Sequence, residues 1–251
     1  MKLKVISFNI RSCDDKDGHS IAERAPRLKT VTEPFDADVM GFQEYTPAWE
    51  AHIAEQFGER YDIFNKYRTS EGWIESAPIL WRRDRFELLK TGYFWLSDTP
   101  EVESRGWDSL PHNRMCEYVI LKDKASGESF TFMNVHYGFG DDCQVKSSAL
   151  IAEYARRISD LPTFITGDFN MNPKSAGYAQ MVKEWRDVNG ATVNDRRSTY
   201  HGYDLSVERD EHIDYCFINE KINPITLRII DKTVEGKFPT DHFGIYAELD
   251  I

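Results

Sequence analysis

Two rhythms of apolar residues alternate along this chain. Short apolar, β-branched runs read as strands. They cover residues 3–9 (LKVISFN), 38–43 (DVMGFQ), 77–82, 86–95, 115–122, 129–135 (SFTFMNV), 162–167, 212–218, 225–231 and 243–249. Helical patterns lie between them, over 20–34, from Thr46-Pro47 onward, over 143–159 and over 175–186. Ser20 stands as an N-cap with Glu23 at the capping-box position, and Pro47 takes a first helical position. Strands outnumber helices. No Pro/Gly/Ser-rich linker, short-period repeat or low-complexity segment divides the chain. The pattern predicts an α/β (α+β) fold of two packed sheets with helices outside, in one domain over 1–251.

Length and charge narrow this picture. A chain of 251 residues buries roughly three quarters of its unfolded surface and needs no staples. Its formal net charge is -11. The densest basic clusters are Arg82-Arg83 with Arg85, Arg156-Arg157 and Arg196-Arg197, each small and neighboured by acids. Long duplex DNA usually meets a basic face, so the balance leans toward a compact anionic substrate. Cys13, Cys116, Cys143 and Cys216 are scattered, with no CxxC-type spacing. The start, MKLKVISFNI, lacks a long apolar h-region and a small-residue cleavage site. No apolar stretch approaches a membrane span. The expectation is a cytoplasmic protein, monomeric and without a membrane partner.

Polar residues stand at or beside the ends of the strand runs: Asn9 in SFNI, Glu44 in GFQE, His136 in NVHY, Asp168 and Asn170 in GDFN, Asp214 in HIDY, and Asp241-His242 in TDHFG. Singly, each has a plain structural reading as a strand end, a turn or a core histidine. Together they should emerge at sheet edges, where they can converge. Glu, Asp and Asn are hard oxygen ligands suited to Mg²⁺ or Mn²⁺. The histidines suit proton transfer or charge stabilisation near neutral pH. Phosphoester hydrolysis uses this inventory. No GxxxxGK[ST], HExxH or GxSxG motif competes.

The ordered series SFNI, QE, NVH, GDFN, HIDY and DHF resembles the endonuclease/exonuclease/phosphatase superfamily, the deoxyribonuclease I-like fold, from Asn9 to His242. The resemblance implies a four-layer α/β/β/α sandwich with the site at one rim. It also implies roles. Glu44 would be the principal metal ligand, with Asn9 close by and Asp241 binding or approaching the metal. His242, oriented by Asp214, would contact the scissile phosphate or act as base. Asp168 would position or deprotonate water, Asn170 would donate to a phosphate oxygen, and His136 would stabilise the phosphate or protonate the leaving group. Whether Asp168 or His242 is the base stays open.

Glu75 resembles the carboxylate that orients the first histidine; by itself it also reads as a solvated loop acid. The stretch SRGWDSLPHNRMCEYVIL (104–121) resembles a bacterial branch related to nocturnin-like and deadenylase-like enzymes. There Arg114 would bind a substrate phosphate, or form a surface ion pair. STYHGYD (198–204) points to the same branch, with His201 lining the pocket. Trp73, Trp107, Tyr137 and Phe139 flank the motifs, as packing or as a stacking surface. Three readings follow. The first is a Mg²⁺- or Mn²⁺-dependent phosphoesterase acting on a small or soluble phosphorylated substrate, including nucleotides. The second is a nuclease using the same site on DNA or RNA. The third is a catalytically dead binding module, which the intact residue set disfavours.

Overall fold

A computed structural model describes all 251 residues, Met1–Ile251. The strands are β1 (Lys2–Asn9), β2 (Val39–Gln43), β3 (Tyr61–Phe64), β4 (Ile79–Arg82), β5 (Phe86–Trp95), β6 (Met115–Asp123), β7 (Ser129–His136), β8 (Thr163–Asp168), β9 (Arg186–Asp187), β10 (Asp214–Ile218), β11 (Asn223–Ile230) and β12 (Gly244–Asp250). The helices are α1 (Ile21–Thr32), α2 (Glu50–Phe57), α3 (Asp141–Ile158), α4 (Ala176–Met181) and α5 (Val188–Ala191). One sheet runs β11-β12-β1-β2-β4-β3 and the other β5-β6-β7-β8-β10-β9. Each is mixed: β1 pairs parallel with β2, and β7 with β8, among antiparallel neighbours.

Three apolar clusters build the layers. Leu3, Val5, Val39, Phe130, Phe132, Phe164 and Cys216 fill the space between the sheets. Ile6, Phe8 and Met40 turn the other way, to Leu28 of α1 and Ile53 of α2. Met133, Val135, Ile165 and Phe217 pack against Ile151 of α3 and Met181 of α4. The result is the four-layer α/β/β/α sandwich.

Most predicted elements are present, and the Ser20–Glu23 capping box forms. The exceptions are short or marginal. β3 is a four-residue edge strand whose pattern is too brief to stand out. The helix expected over 175–186 ends at Met181, and Arg186-Asp187 pairs with β10 instead. The helix expected from Thr46-Pro47 opens with a 3-10 turn over Pro47–Trp49 before α2.

Candidate active site

The period of two along a strand places the site. On β1, Leu3 and Val5 face the other sheet, so Ser7 and Asn9 do too. The same parity sends Gln43, Asn134, His136, Thr166, Asp168 and Asp214 inward. Ser7, Gln43, Asn134 and Thr166 form a buried polar layer: Gln43 donates to Ser7 (3.1 Å) and Asn134 (2.8 Å), and Thr166 donates to Asn134 (3.0 Å). Gly41 makes room for it, since a Cβ there would lie 2.6 Å from both Asn134 and Thr166. One step further along the strands is the rim. There the register aligns His136 with Asp168, and Asp168 with Asp214, across β7, β8 and β10.

Asp168 is the hub. Its Oδ2 lies 3.7 Å from His136 Nε2 and 3.8 Å from His242 Nε2, and accepts from Asn9 Nδ2 at 3.0 Å. Each histidine is oriented from behind by a carboxylate. His242 Nδ1 meets Asp214 at 3.0 Å, and His136 Nδ1 meets Glu75 at 2.9 Å. Burial opposes the charge on His242, but Asp214, Asp168 and Asp241 outweigh it and hold its imidazolium up to about 10. Burial and the Asp214 charge push Asp168 up, against the pull of both histidines. Asp168, Asp214 and His242 bring one ligand atom each within 4.8 Å of one another. Because His242 is hydrogen-bonded to Asp214, this arrangement is an oriented acid–base chain rather than a metal cage.

The cation site fits elsewhere. Glu44 sits just past β2 with φ 62, a left-handed conformation that costs a non-glycine residue about 1–2 kcal/mol. Ser12 holds it through backbone N–H (2.8 Å) and hydroxyl (2.7 Å), both to Oε2. Burial raises the Glu44 carboxyl, yet the His136 charge and the Ser12 bonds leave it below its usual range. Asp241 is pushed up, by burial and by repulsion from Glu44, while His242 and Arg11 oppose. Glu44 and Asp241 are hard oxygen donors close enough to repel each other, a fit for Mg²⁺ or Mn²⁺. Asn9 lies beside Glu44. Its Oδ1 accepts from Arg11 N–H (3.0 Å), and its Nδ2 bridges Glu44 (3.1 Å) to Asp168. It ties the two centres together.

The remaining expectations divide. Glu75 is buried, not solvated: besides His136 it takes Arg68 (2.9 Å) and the Trp73 indole N–H (3.1 Å). Burial raises its carboxyl, but His136, then Arg68 and Arg114, bring it to about 2. Arg114 is buried too, so the surface ion pair is excluded. It donates to Asp108 at 2.7 Å, and its Nη1 has no partner. Asn170 donates through Nδ2 to the Tyr137 carbonyl (2.9 Å), and its backbone N–H reaches Asp168 (2.9 Å). His201 is a correction. It does not line the cavity; its ring packs 4.4 Å from those of both Phe238 and Phe243, because it lies behind the strand end that carries His242. Trp107 and Tyr137 also lie away from the cavity, whereas Trp73 and Phe139 line it.

The cavity at this rim holds about 470 Å³. Glu44, Asp241, Arg11 and Ser12 form one side; Arg68, Trp73, Leu110, His112, Arg114 and Phe139 form the other. Sequence reading missed Arg24, the support behind Ser12. It is 0% exposed and donates to the carbonyls of Ile10 (2.6 Å), Arg11 (3.2 Å), Cys13 (2.5 Å) and His19 (2.9 Å). Trp49 packs under its guanidinium, 5.1 Å from ring centroid to Cζ. The available signal was an arginine within the apolar stripe Ile21, Ala25, Leu28 of α1.

The model of the Endonuclease/Exonuclease/phosphatase family matches residues 6–242. Among solved structures, an endonuclease/exonuclease/phosphatase family protein from Bacteroides thetaiotaomicron has TM-score 0.90 and 27% identity, covering 100% of this chain and 99% of its own. A mannosyl-6-phosphatase from the same organism has TM-score 0.89 and 27% identity, with 99% and 100% covered. The human nocturnin catalytic domain has TM-score 0.76 and 13% identity, with 99% and 94% covered, a likeness of fold alone.

Proposed function

Because the chain belongs to the Endonuclease/Exonuclease/phosphatase family, and is thus a hydrolase of phosphoric esters, we propose that it cleaves a phosphoester of a small, soluble, phosphorylated compound with Mg²⁺ or Mn²⁺. One observation carries this reading: two carboxylate-backed histidines flank Asp168 beside a hard-oxygen pair, at the floor of a compact cavity. The mannosyl-6-phosphatase with a similar structure supports a phosphatase-type substrate.

In this reading Glu44 and Asp241 hold the cation, which when bound draws charge from the phosphoryl oxygens. Asp168 orients the attacking water and takes its proton, since burial beside Asp214 strengthens it as a base. His242 stays protonated through Asp214 and donates to a phosphoryl oxygen as charge builds. His136, fixed by Glu75, presents Nε2 to the phosphate or to the departing alkoxide. Asn9 keeps Asp168 and Glu44 in register. The acidic balance and compact cavity weigh against long nucleic acid as the substrate.

The test is phosphate release from a panel of mono- and diesters, with Mg²⁺ or Mn²⁺ and then with EDTA. Activity should appear with metal and vanish with chelator. Full activity in EDTA overturns the metal assignment, and rapid nicking of plasmid DNA in preference to small esters overturns the substrate class.

A further inference from the structure

We propose that the apolar lip of this cavity is a subsite for a sugar ring, making the substrate a phosphorylated monosaccharide of hexose size. The proposal rests on the phosphoesterase reading above and names its leaving group. Trp73, Leu110 and Phe139 are 50%, 42% and 42% exposed, yet all three line the cavity that holds His136 and Asp168. Single exposed apolar residues are ordinary on a surface; three large ones around one charged cavity mark a place where a ligand covers them.

Trp73 is also tied to the chemistry. Its indole N–H donates to Glu75 Oε2 at 3.1 Å, and Glu75 Oε1 fixes His136 Nδ1 at 2.9 Å. A ring resting on the indole therefore sits beside the histidine that faces a departing alkoxide.

The surroundings select the kind of ring. Arg68, His112 and Arg114 share the wall with the lip, and Glu211 also lines the cavity. A hexose presents a C–H face and an edge of hydroxyls, and so needs an apolar surface and polar partners together. An acyl chain needs only the first. A cavity of about 470 Å³ lies within the range that encloses a small ligand. A nucleobase also stacks on indole, so nucleotides are the decisive competitor.

The test measures kcat/KM of the metal-loaded enzyme on glycerol phosphate, a hexose 6-phosphate and a nucleoside 5′-monophosphate. The wild type should favour the hexose ester over both others. Trp73→Ala should lower the hexose-to-glycerol ratio by roughly tenfold, the effect of losing about 55 Å² of apolar contact. Trp73→Phe, which keeps a face but loses the N–H, should recover most of that ratio. Phe139→Ala and Leu110→Ala, which do not touch Glu75, should lower it in the same direction and carry the test if Trp73→Ala misfolds.

An unchanged ratio in Trp73→Ala, a Trp73→Phe as poor as the alanine variant, or a wild-type preference for the nucleotide each overturns the sugar subsite. Hydrolysis of glycerol phosphate with no preference for the hexose ester sinks this inference alone. No metal-dependent hydrolysis of any of the three sinks the phosphoesterase reading beneath it.

Discussion

The two walls of the cavity are built on opposite principles. On the Glu44 side, loops leave the ends of β1 and β2, and hydrogen bonds brace the side chains from behind. Ser12 holds Glu44, Asn9 bridges Glu44 to Asp168, Thr240 donates to the Asn9 carbonyl (2.8 Å), and Arg24 gathers the carbonyls beneath them. Two backbone positions, Arg11 and Glu44, are left-handed, a strain that the surrounding bonds must hold in place. On the other side, the wall comes largely from the connections around Trp73 and Leu110–Arg114. It keeps an unpartnered Arg114 Nη1 and exposes Trp73, Leu110 and Phe139. One wall is braced from behind by hydrogen bonds and keeps two mutually repelling carboxylates for a cation. The other leaves apolar surface exposed, as a surface that recognises a ligand does.

The sharpest way to break this contrast is at the centre. Asp168→Asn should lower kcat about 10³-fold with the fold retained, since it removes both the proposed base and the negative charge that the two histidines face. His242→Ala should fall in the same range. Circular dichroism and single-turnover kinetics check both. A variant within tenfold of wild type would move the chemistry away from β8. Changes in the loop wall should instead appear mainly as altered KM and substrate choice.

Arg24 tests the Glu44 wall. No carboxylate pairs with it; its guanidinium is satisfied by backbone carbonyls. Arg24→Met keeps some bulk but leaves those carbonyls unanswered, and should destabilise the protein by roughly 3 kcal/mol in urea melts. The 10–13 loop that presents Ser12 to Glu44 should loosen as well, so half-maximal activity should require more Mg²⁺. An unchanged metal titration would show that this loop holds Glu44 without the arginine.

The same division governs what the sequence revealed. The strand-borne set was legible because a period of two carries a residue such as Asp168 from the core pattern of β8 straight to the rim, and a polar residue after an apolar run marks the exit. Glu44 and Asp241-His242 were readable in the same way. Arg68 and His112 were not, because loop residues acquire partners only through tertiary contact. Glu75 and Arg114 are the intermediate case: flagged by resemblance, but with surface readings that only their burial removes. His201 failed because a motif gives proximity in sequence, and its side chain turned to Phe238 and Phe243 rather than to the cavity.

Glu75 joins the loop wall to the floor, binding Arg68 and Trp73 on one side and His136 on the other. The smallest predicted effect lies here, in pH dependence. Its carboxyl is held at about 2 against 4.5 for a free side chain. A lowered folded value means the unfolded chain binds this proton first. The contribution is therefore complete above about pH 4.5 and is lost as pH falls toward about 2. At most it is on the order of 3 kcal/mol. Glu75→Gln has no proton to take up, so it should start less stable, with Arg68 unpaired, but decline less steeply over that interval. Urea melts of both proteins at several pH values between 5 and 2 measure the two slopes. Parallel slopes would mean that the link between the loop wall and the floor carries no ionic free energy, and that Glu75 acts on His136 by geometry alone.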